Sequence, residues 1–139
     1  MTEKYEPENP VHQKIKHGIE EGDGLPDIST TEQVDDAMKK VGFELLASID
    51  RAKPLAPNDV AWYNPLEPKY TPLNIHHTEL GHKVSSFFLR LLEKVKIVSA
   101  GSSQVQEFLH TAAVNLTLGG QLDIFTPSYF TLCRKPESA

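Results

Sequence analysis

The spacing of apolar residues along the chain predicts four helices and two strands. The clearest helix is predicted over residues 75–98, where apolar residues recur three or four positions apart and so share one face. The residues of that face are Val84, Phe87, Phe88, Leu91, Leu92, Val95 and Val98. Packing in a hydrophobic core is its favoured interpretation, ahead of a ligand wall. A membrane-surface helix is the weaker alternative, because the opposite face carries charges of both signs.

The other three helices are predicted from their end signals. Asn9 as N-cap and Pro10 at the first helical position begin a helix over residues 10–21. A second helix covers 31–41 and ends at Gly42, and another covers 104–118, between a serine cap (Ser102 or Ser103) and Gly119-Gly120. The residues predicted to be buried on these helices are Val11, Ile15 and Ile19; Val34, Ala37, Met38 and Val41; and Val105, Phe108, Leu109, Ala112 and Leu116.

Two apolar segments are predicted to be strands, residues 43–49 and residues 122–133. Pro127 predicts a bulge or an edge position in the second strand. Prolines exclude a regular element from residues 51–72, the loop that contains Trp62 and Tyr63. Two strands do not form a stable sheet unaided, so either the helices carry the fold or the strands belong to a larger sheet.

Composition narrows the class of protein without identifying a function. The 139 residues suit one domain, and a formal net charge of −5 argues against a nucleic-acid partner. No segment reads as a membrane span or a secretory signal. The single cysteine, Cys133, excludes an internal disulfide and is interpreted as a buried structural thiol. We expect a protein of the cytosol or of the cytosolic face of a membrane.

The polar residues form none of the familiar catalytic or metal motifs. The six histidines, including His76, His77 and His82, lack the spacing and third ligand of a zinc site, so we predict no metal. No serine lies in a strand–turn–helix elbow. Gly22-x-Gly24 follows a helix rather than a strand, which is typical of a turn and not of a phosphate loop. Trp62 and Tyr63 suit either a core plug or the wall of a hydrophobic or cation-stabilising site.

A set of collinear motifs extends over nearly the whole chain. They are residues 1–9 followed by 12–16, 20–28, 37–44, 62–66, Gly101-Ser102 with Val105, Ala112-Ala113, Gly119-Gly120, 124–127 and 134–136. In this order they resemble sterol 24-C-methyltransferases. The departures are local: Glu3 and Glu6 stand where aspartate is usual, and residues 78–92 diverge.

The resemblance implies an α/β fold, the C-terminal part of a class I S-adenosylmethionine-dependent methyltransferase. The domain would cover residues 1–139, and the two strands would be the terminal antiparallel β-hairpin, the last two of seven. The glycine-rich loop that binds S-adenosylmethionine and the aromatic sterol motif of the N-terminal half would lie outside this chain. We therefore expect no cofactor-binding residue here and an inactive isolated chain. Met1 would be either a true start or an internal methionine.

The resemblance also implies a reaction and candidate site residues. In the family, the side-chain double bond of a sterol attacks the donor's methyl group, a hydride shifts and a proton leaves. Tyr5, Trp62 and Tyr63 are the candidate substrate-binding aromatics, and His12 and Asp23 the candidates for orientation or proton removal. Asp23 is equally well interpreted as a turn residue.

The implied partners are a sterol, a peripheral membrane contact and a second copy in the full-length enzyme. The implied location is the cytosol or the cytoplasmic side of the endoplasmic reticulum membrane. Three alternatives stay open: a non-catalytic sterol- or lipid-binding module, a related methyltransferase with another substrate, and a fragment unable to fold alone. The preferred sterol and the number of methyl additions are not predicted.

Overall fold

The computed structural model describes residues 1–56, 58–68 and 78–136. The elements are α1 (Pro10–Asp23), α2 (Thr31–Lys40), β1 (Glu44–Asp50), a 3-10 helix (Asn64–Leu66), α3 (Glu79–Lys94), α4 (Ser102–Gln121) and β2 (Tyr129–Arg134). The predicted order of helices and strands is confirmed. The predicted start of the third helix and the pair His76-His77 lie outside the described residues, and α3 begins at Glu79, capped by the Thr78 hydroxyl.

The hydrophobic core lies between α1 and the C-terminal half of α4. Ile15 and Ile19 of α1 are buried together with Met1 and Ile124, and Ile19 is fully inaccessible. The two helices cross at Gly22, where an added Cβ would lie 2.6 Å from the backbone nitrogen of Ala112. The crossing therefore requires a residue without a side chain. Val11, predicted to be buried on α1, is exposed, because it precedes this crossing by three turns.

The first two residues of the chain hydrogen-bond to segments on both sides of them. The Met1 nitrogen donates to the Ser29 carbonyl and the Thr31 amide donates to the Met1 carbonyl. On the other side, the Thr2 amide donates to the Ile124 carbonyl at 2.9 Å. These bonds join the turn before α2 to the segment after α4.

An ion-pair cluster fixes the turn after α1. The Lys16 ammonium donates to both Glu20 and Asp27, and Glu20 also accepts the Ile28 amide at 2.7 Å. Burial opposes the charge on Lys16, but its hydrogen bonds to Asp27 and Glu20 outweigh that cost and raise its pKa. The same ammonium lowers the pKa of Asp27. The turn is thereby held against α1, with Gly24 in the left-handed region ending the helix.

The two strands pair antiparallel, as predicted, with Ile49 opposite Phe130 and Asp50 opposite Tyr129. α2 covers one face of the sheet, where Ser48 and Tyr129 donate to the Asp35 carboxylate at 2.9 Å each. On the other face, the large side chains are exposed to solvent: Leu46, Ile49, Phe130 and Leu132. This face of the sheet therefore has the apolar composition of a surface that packs against other protein.

The extent of the second strand was predicted wrongly. Residues 122–128 are not part of β2, because Asp123 has a positive φ of 56° and Thr2 binds this segment instead. The irregularity in pairing lies between Leu45 and Ala47 of β1, not at Pro127, which precedes β2. Cys133 is half-buried rather than buried.

The faces predicted to be buried on the remaining helices are largely exposed. On α3 the outward residues include Val84, Phe87, Phe88, Leu91 and Val95; on α4 they are Val105, Phe108 and Leu109; and on α2 they are Ala37 and Val41. α3 instead meets α4 through polar side chains. The predicted burial is confirmed for Ala112 and Leu116 near the C-terminal end of α4, as it is for Ile15 and Ile19 of α1, but not for these outward residues.

Both predicted ends of α4 are also corrected. Neither Ser102 nor Ser103 caps it; the carboxylate of Glu93 on α3 accepts the Ser103 amide at 2.8 Å and the Ser103 hydroxyl at 3.1 Å. The Ser103 amide, opposed by desolvation, lowers the pKa of Glu93. At the other end, Gly119 and Gly120 lie inside the helix, which continues to Gln121. They serve there as contact points for neighbouring side chains.

Candidate functional site

A cleft of about 390 Å³ lies where the end of β1, the loop before the 3-10 helix and the end of α4 meet. Its lining residues are Asp50, Ala52, Lys53, Pro54, Ala61, Trp62, Tyr63, Gly120, Gln121, Asp123 and Phe125. Aromatic rings share this lining with the carboxylates of Asp50 and Asp123 and with the ammonium group of Lys53.

Three aromatic rings form one wall of the cleft. The Trp62 ring lies edge-to-face with Tyr63 at 5.5 Å between centroids and contacts Phe125 at 5.9 Å. The two loop rings rest on Gly120, where an added Cβ would lie 2.2 Å from the Tyr63 ring and 2.9 Å from the Trp62 ring. Glycine at this position therefore allows the rings to lie directly on the backbone of α4. Such rings supply both apolar area and a negative face for a cation.

Two carboxylates complete the cleft. Asp50 ends β1, and its Oδ1 accepts the Ala52 amide at 2.9 Å and the Thr126 hydroxyl at 2.6 Å. Asp123 lies in the turn after α4 and pairs with the Lys4 ammonium at 2.7 Å. Both side chains are only partly exposed. Because Asp123 is already paired with Lys4, the Asp50 carboxylate and the aromatic faces are the groups suited to a positively charged part of an otherwise apolar ligand.

Tyr5 and His12 form a second, separate pair on the N-terminal side. Their rings stack at 6.2 Å between centroids, and Tyr5 packs against the hydrophobic core. His12 Nδ1 accepts the Glu6 amide at 3.1 Å, so a neutral ring carries its proton on Nε2. In that state the ring can donate a hydrogen bond but is poorly arranged to remove a proton.

Asp23 lies far from these groups. It is the last residue of α1 and is exposed, whereas His12 lies in the first turn of the same helix. Eleven helical residues separate the two by about 16 Å. The structure therefore does not bring His12 and Asp23 together, and neither lines the aromatic cleft. Their proposed roles stay predictions.

Sequence reasoning singled out Trp62 and Tyr63 but missed Asp50, Gly120, Asp123 and Phe125. Gly119-Gly120 had been interpreted as a helix terminator, and Asp123 as part of a strand. The sequence offered only a weak signal for the two carboxylates. Asp50 and Asp123 each follow a predicted strand or helix, but they are 73 residues apart in the chain.

The described residues contain no group of three or more histidine, cysteine, aspartate or glutamate side chains able to hold a metal ion. They also lack a glycine-rich loop for a nucleoside donor, because Gly22 is buried against Ala112 and Gly24 ends α1. Among the helices of the described segments, none combines the length and the hydropathy needed to cross a bilayer.

Comparison with known proteins decides the family. Residues 74–137 match the family described as "Sterol methyltransferase C-terminal". The chain is 42% identical to the cycloartenol-C-24-methyltransferase of Arabidopsis thaliana, over 99% of this chain and 40% of that protein. It is 38% identical to the sterol 24-C-methyltransferase of Eremothecium gossypii, over 100% of this chain and 39% of that protein. The chain matches the C-terminal part of the sterol methyltransferases.

This match to the sterol methyltransferases confirms the resemblance seen in the motifs. The chain spans about 40% of the length of the sterol methyltransferases it matches, and it corresponds to their C-terminal part. Helices with a two-stranded antiparallel sheet are consistent with a partial class I methyltransferase fold. No solved structure matches the chain. Within the cleft, Gly120, Asp123 and Phe125 fall inside the region that matches the family, and Trp62 and Tyr63 precede it.

Proposed function

We propose that this chain is the substrate-side part of a sterol 24-C-methyltransferase. In this proposal the aromatic cleft receives the sterol side chain that is methylated at C24, with S-adenosylmethionine as donor. The observation that carries the proposal is the cleft itself, in which Trp62 and Tyr63 lie on Gly120 and share the lining with Asp50 and Asp123. The names of the family members found in plants and fungi supply the class of acceptor.

The cleft fits the charge that the acceptor develops. Methylation of a side-chain double bond leaves a positive charge on the sterol, in a region that must exclude water. The π faces of Trp62 and Tyr63 stabilise such a charge by about 1–2 kcal/mol each when desolvated. The Asp50 carboxylate adds fixed negative charge to the cleft, whereas the Asp123 carboxylate is paired with Lys4.

The final proton has to leave to a group within reach of the side chain. Asp50 and Asp123 line the cleft, whereas His12 and Asp23 do not. We assign proton removal to Asp50 or Asp123, and the roles of Tyr5 and His12, which lie outside this cleft, stay predictions. We assign the donor site to the part of the sterol methyltransferases that this chain does not span.

Sterol binding tests the first half of the proposal. Trp62 is the single tryptophan of the sequence, so its fluorescence reports directly on the cleft. Titration with the fluorescent sterol dehydroergosterol should give energy transfer from Trp62. Gly120→Ala should weaken binding at least about tenfold, because its Cβ displaces both rings, a change of roughly 1.4 kcal/mol. Gln104→Ala, an exposed change on the same helix, is the matched control. Equal affinity for both variants would remove the cleft from consideration.

A chimera tests the chemistry. This chain would replace the matching segment of the Saccharomyces cerevisiae sterol 24-C-methyltransferase. The two are 38% identical over 100% of this chain and 38% of the yeast protein. We expect side-chain methylation by the chimera and a loss of about 10²-fold or more in turnover for Asp123→Asn, with sterol affinity retained. A chimera that folds and binds sterol but does not methylate it would instead support a binding module. Calorimetry of the isolated chain with S-adenosylmethionine should give no binding heat.

A further inference from the structure

We infer that α3 carries a docking surface for an anionic lipid membrane. The surface is the outer face of α3, defined by Leu80, Val84, Phe87, Phe88, Leu91 and Val95. The inference rests on the proposed function in one respect: a sterol acceptor is itself a membrane lipid and has to be taken from a bilayer.

The outer face of α3 is a continuous apolar stripe in contact with water. Its members recur three or four residues apart and fall within about 100° of the helix circumference. Leu80 and Phe87 are about two-thirds exposed, at 68% and 67%. Ile97, in the turn that follows α3, is 71% exposed and extends the stripe to the tip of the helical pair. An apolar stripe of this length on an isolated surface indicates an interaction site.

A polar seam between α3 and α4 fixes the rotation of α3 so that this face points outward. Ser85 and Ser86 both hydrogen-bond to Gln106, and the His82 and His110 rings lie 3.9 Å apart between centroids. Turning the stripe toward α4 would break the hydrogen bonds of Ser85 and Ser86 to Gln106. The outward orientation is therefore specified by hydrogen bonds and is not an accident of loose packing.

The charge pattern along α3 complements an anionic bilayer. Lys83, Arg90 and Lys94 project from one margin of the stripe, within about 120° of its centre on the helix. Glu93 is the sole acid between residues 80 and 95, and it is turned inward to cap α4. Arg90 lies 3.7 Å from Glu107, but both side chains are more than 60% exposed, so this pair is weak. The protein as a whole carries −5, which makes this local cationic margin stand out.

These features favour a lipid surface over a second copy of the chain as the occupant. A row of aliphatic and phenyl groups flanked by lysine and arginine is the arrangement that lies in the interface plane of a bilayer. Self-association through a two-fold axis would place the cations of both copies along the same seam, where they repel. The interaction we infer is peripheral: apolar side chains enter the headgroup–acyl boundary while the cations contact lipid phosphates and carboxylates.

Vesicle flotation tests the inference with the full 139-residue chain. Phosphatidylcholine vesicles would be compared with vesicles that contain roughly 30% phosphatidylserine, at low and high salt. We expect binding to the anionic vesicles, weakened by salt because screening shortens the Debye length to about 3 Å at 1 M. Phe87→Ser/Phe88→Ser should lower the partition coefficient at least tenfold, and Lys83→Glu/Lys94→Glu should remove the preference for the anionic lipid.

Matched control variants distinguish binding through the outer face of α3 from nonspecific binding of the protein to vesicles. Phe130→Ser removes an exposed phenyl group from the sheet, and Lys14→Glu/Lys40→Glu reverses two exposed charges on α1 and α2. Both should leave flotation unchanged. A folded chain that floats with neither vesicle, or that floats equally well without Phe87 and Phe88, overturns the inference. So does a concentration-dependent dimer that these two substitutions abolish. Dehydroergosterol binding by Phe87→Ser/Phe88→Ser in detergent would show that the sterol cleft of this variant is intact. The membrane inference can then be rejected without rejecting the proposed function.

Discussion

The two halves of α4 show two ways of packing one helix. The C-terminal half meets α1 through small and apolar groups, with Gly22 against Ala112 and Gly119 near Ile15 and Ile19. The N-terminal half meets α3 through Ser103 and Gln106, and its apolar residues face water. The first contact excludes water and supplies most of the core; the second gives direction to α3 while leaving its apolar face free. The C-terminal half of α4 therefore stabilises the fold, and its N-terminal half orients α3 so that the apolar face of α3 points outward.

The largest expected effect is at the packed end. Ile19→Ala should lower the free energy of unfolding by about 2–5 kcal/mol, because Ile19 is fully buried and the cavity it leaves is walled by rigid helices. Urea denaturation followed by circular dichroism measures the change. Leu91→Ala on α3 removes a side chain of similar size that is already half exposed, and it should cost much less. Equal losses of unfolding free energy for Ile19→Ala and Leu91→Ala would mean that the outer face of α3 is packed as tightly as the core.

A somewhat smaller effect is expected at the crossing of α1 and α4. Gly22→Ala should destabilise the protein by about 1–3 kcal/mol, since its Cβ would lie 2.6 Å from the backbone of Ala112, which has no room to move. Glu21→Ala, the neighbouring exposed position on α1, should change stability by less than about 0.5 kcal/mol. If both variants behave alike in a thermal melt, the helices are not in close contact at Gly22.

The difference between the two ends also explains what the sequence predicted and what it missed. Helix positions follow from local spacing and caps, and so Pro10 and Gly42 marked ends that the structure confirms. The side on which a helix packs depends on its neighbours. Nothing local in the sequence shows that Ser85 and Ser86 of α3 hydrogen-bond to Gln106 of α4.

The candidate site followed the same rule. Trp62 and Tyr63 stood out by composition alone. Asp50 and Asp123 did not, because the fold brings them to one cleft from distant segments, and Gly120 was misread because a glycine pair near a predicted helix end normally marks a stop. Such close approaches of side chain to backbone are tertiary facts with no local signal.

A pH-dependent effect is expected at the joint between α3 and α4. The pKa of Glu93 is lowered from its usual 4.5, chiefly by the Ser103 amide, so its carboxylate stabilises the folded state above that value. This contribution is lost as the pH falls from 4.5 through the lowered pKa. Glu93→Gln should therefore reduce the Tm at pH 7, and the gap to the parent protein should close in acid. Glu107→Gln, which alters an exposed pair, should show no such closing gap. A gap independent of pH would mean that the carboxylate does not cap α4.

The smallest expected effect is at the outer face of α3. Phe87→Ser should change the free energy of unfolding by less than about 0.5 kcal/mol, because the phenyl group is 67% exposed and serine is similar to phenylalanine in helix propensity. Denaturant titration of the chain without lipid measures this. A loss of 2 kcal/mol or more would mean that Phe87 is buried in solution, by a second copy or by another part of the protein. If Phe87 belongs to a membrane-docking surface, Phe87→Ser should leave the free energy of unfolding nearly unchanged and strongly weaken membrane binding. The residue then contributes to docking and not to folding.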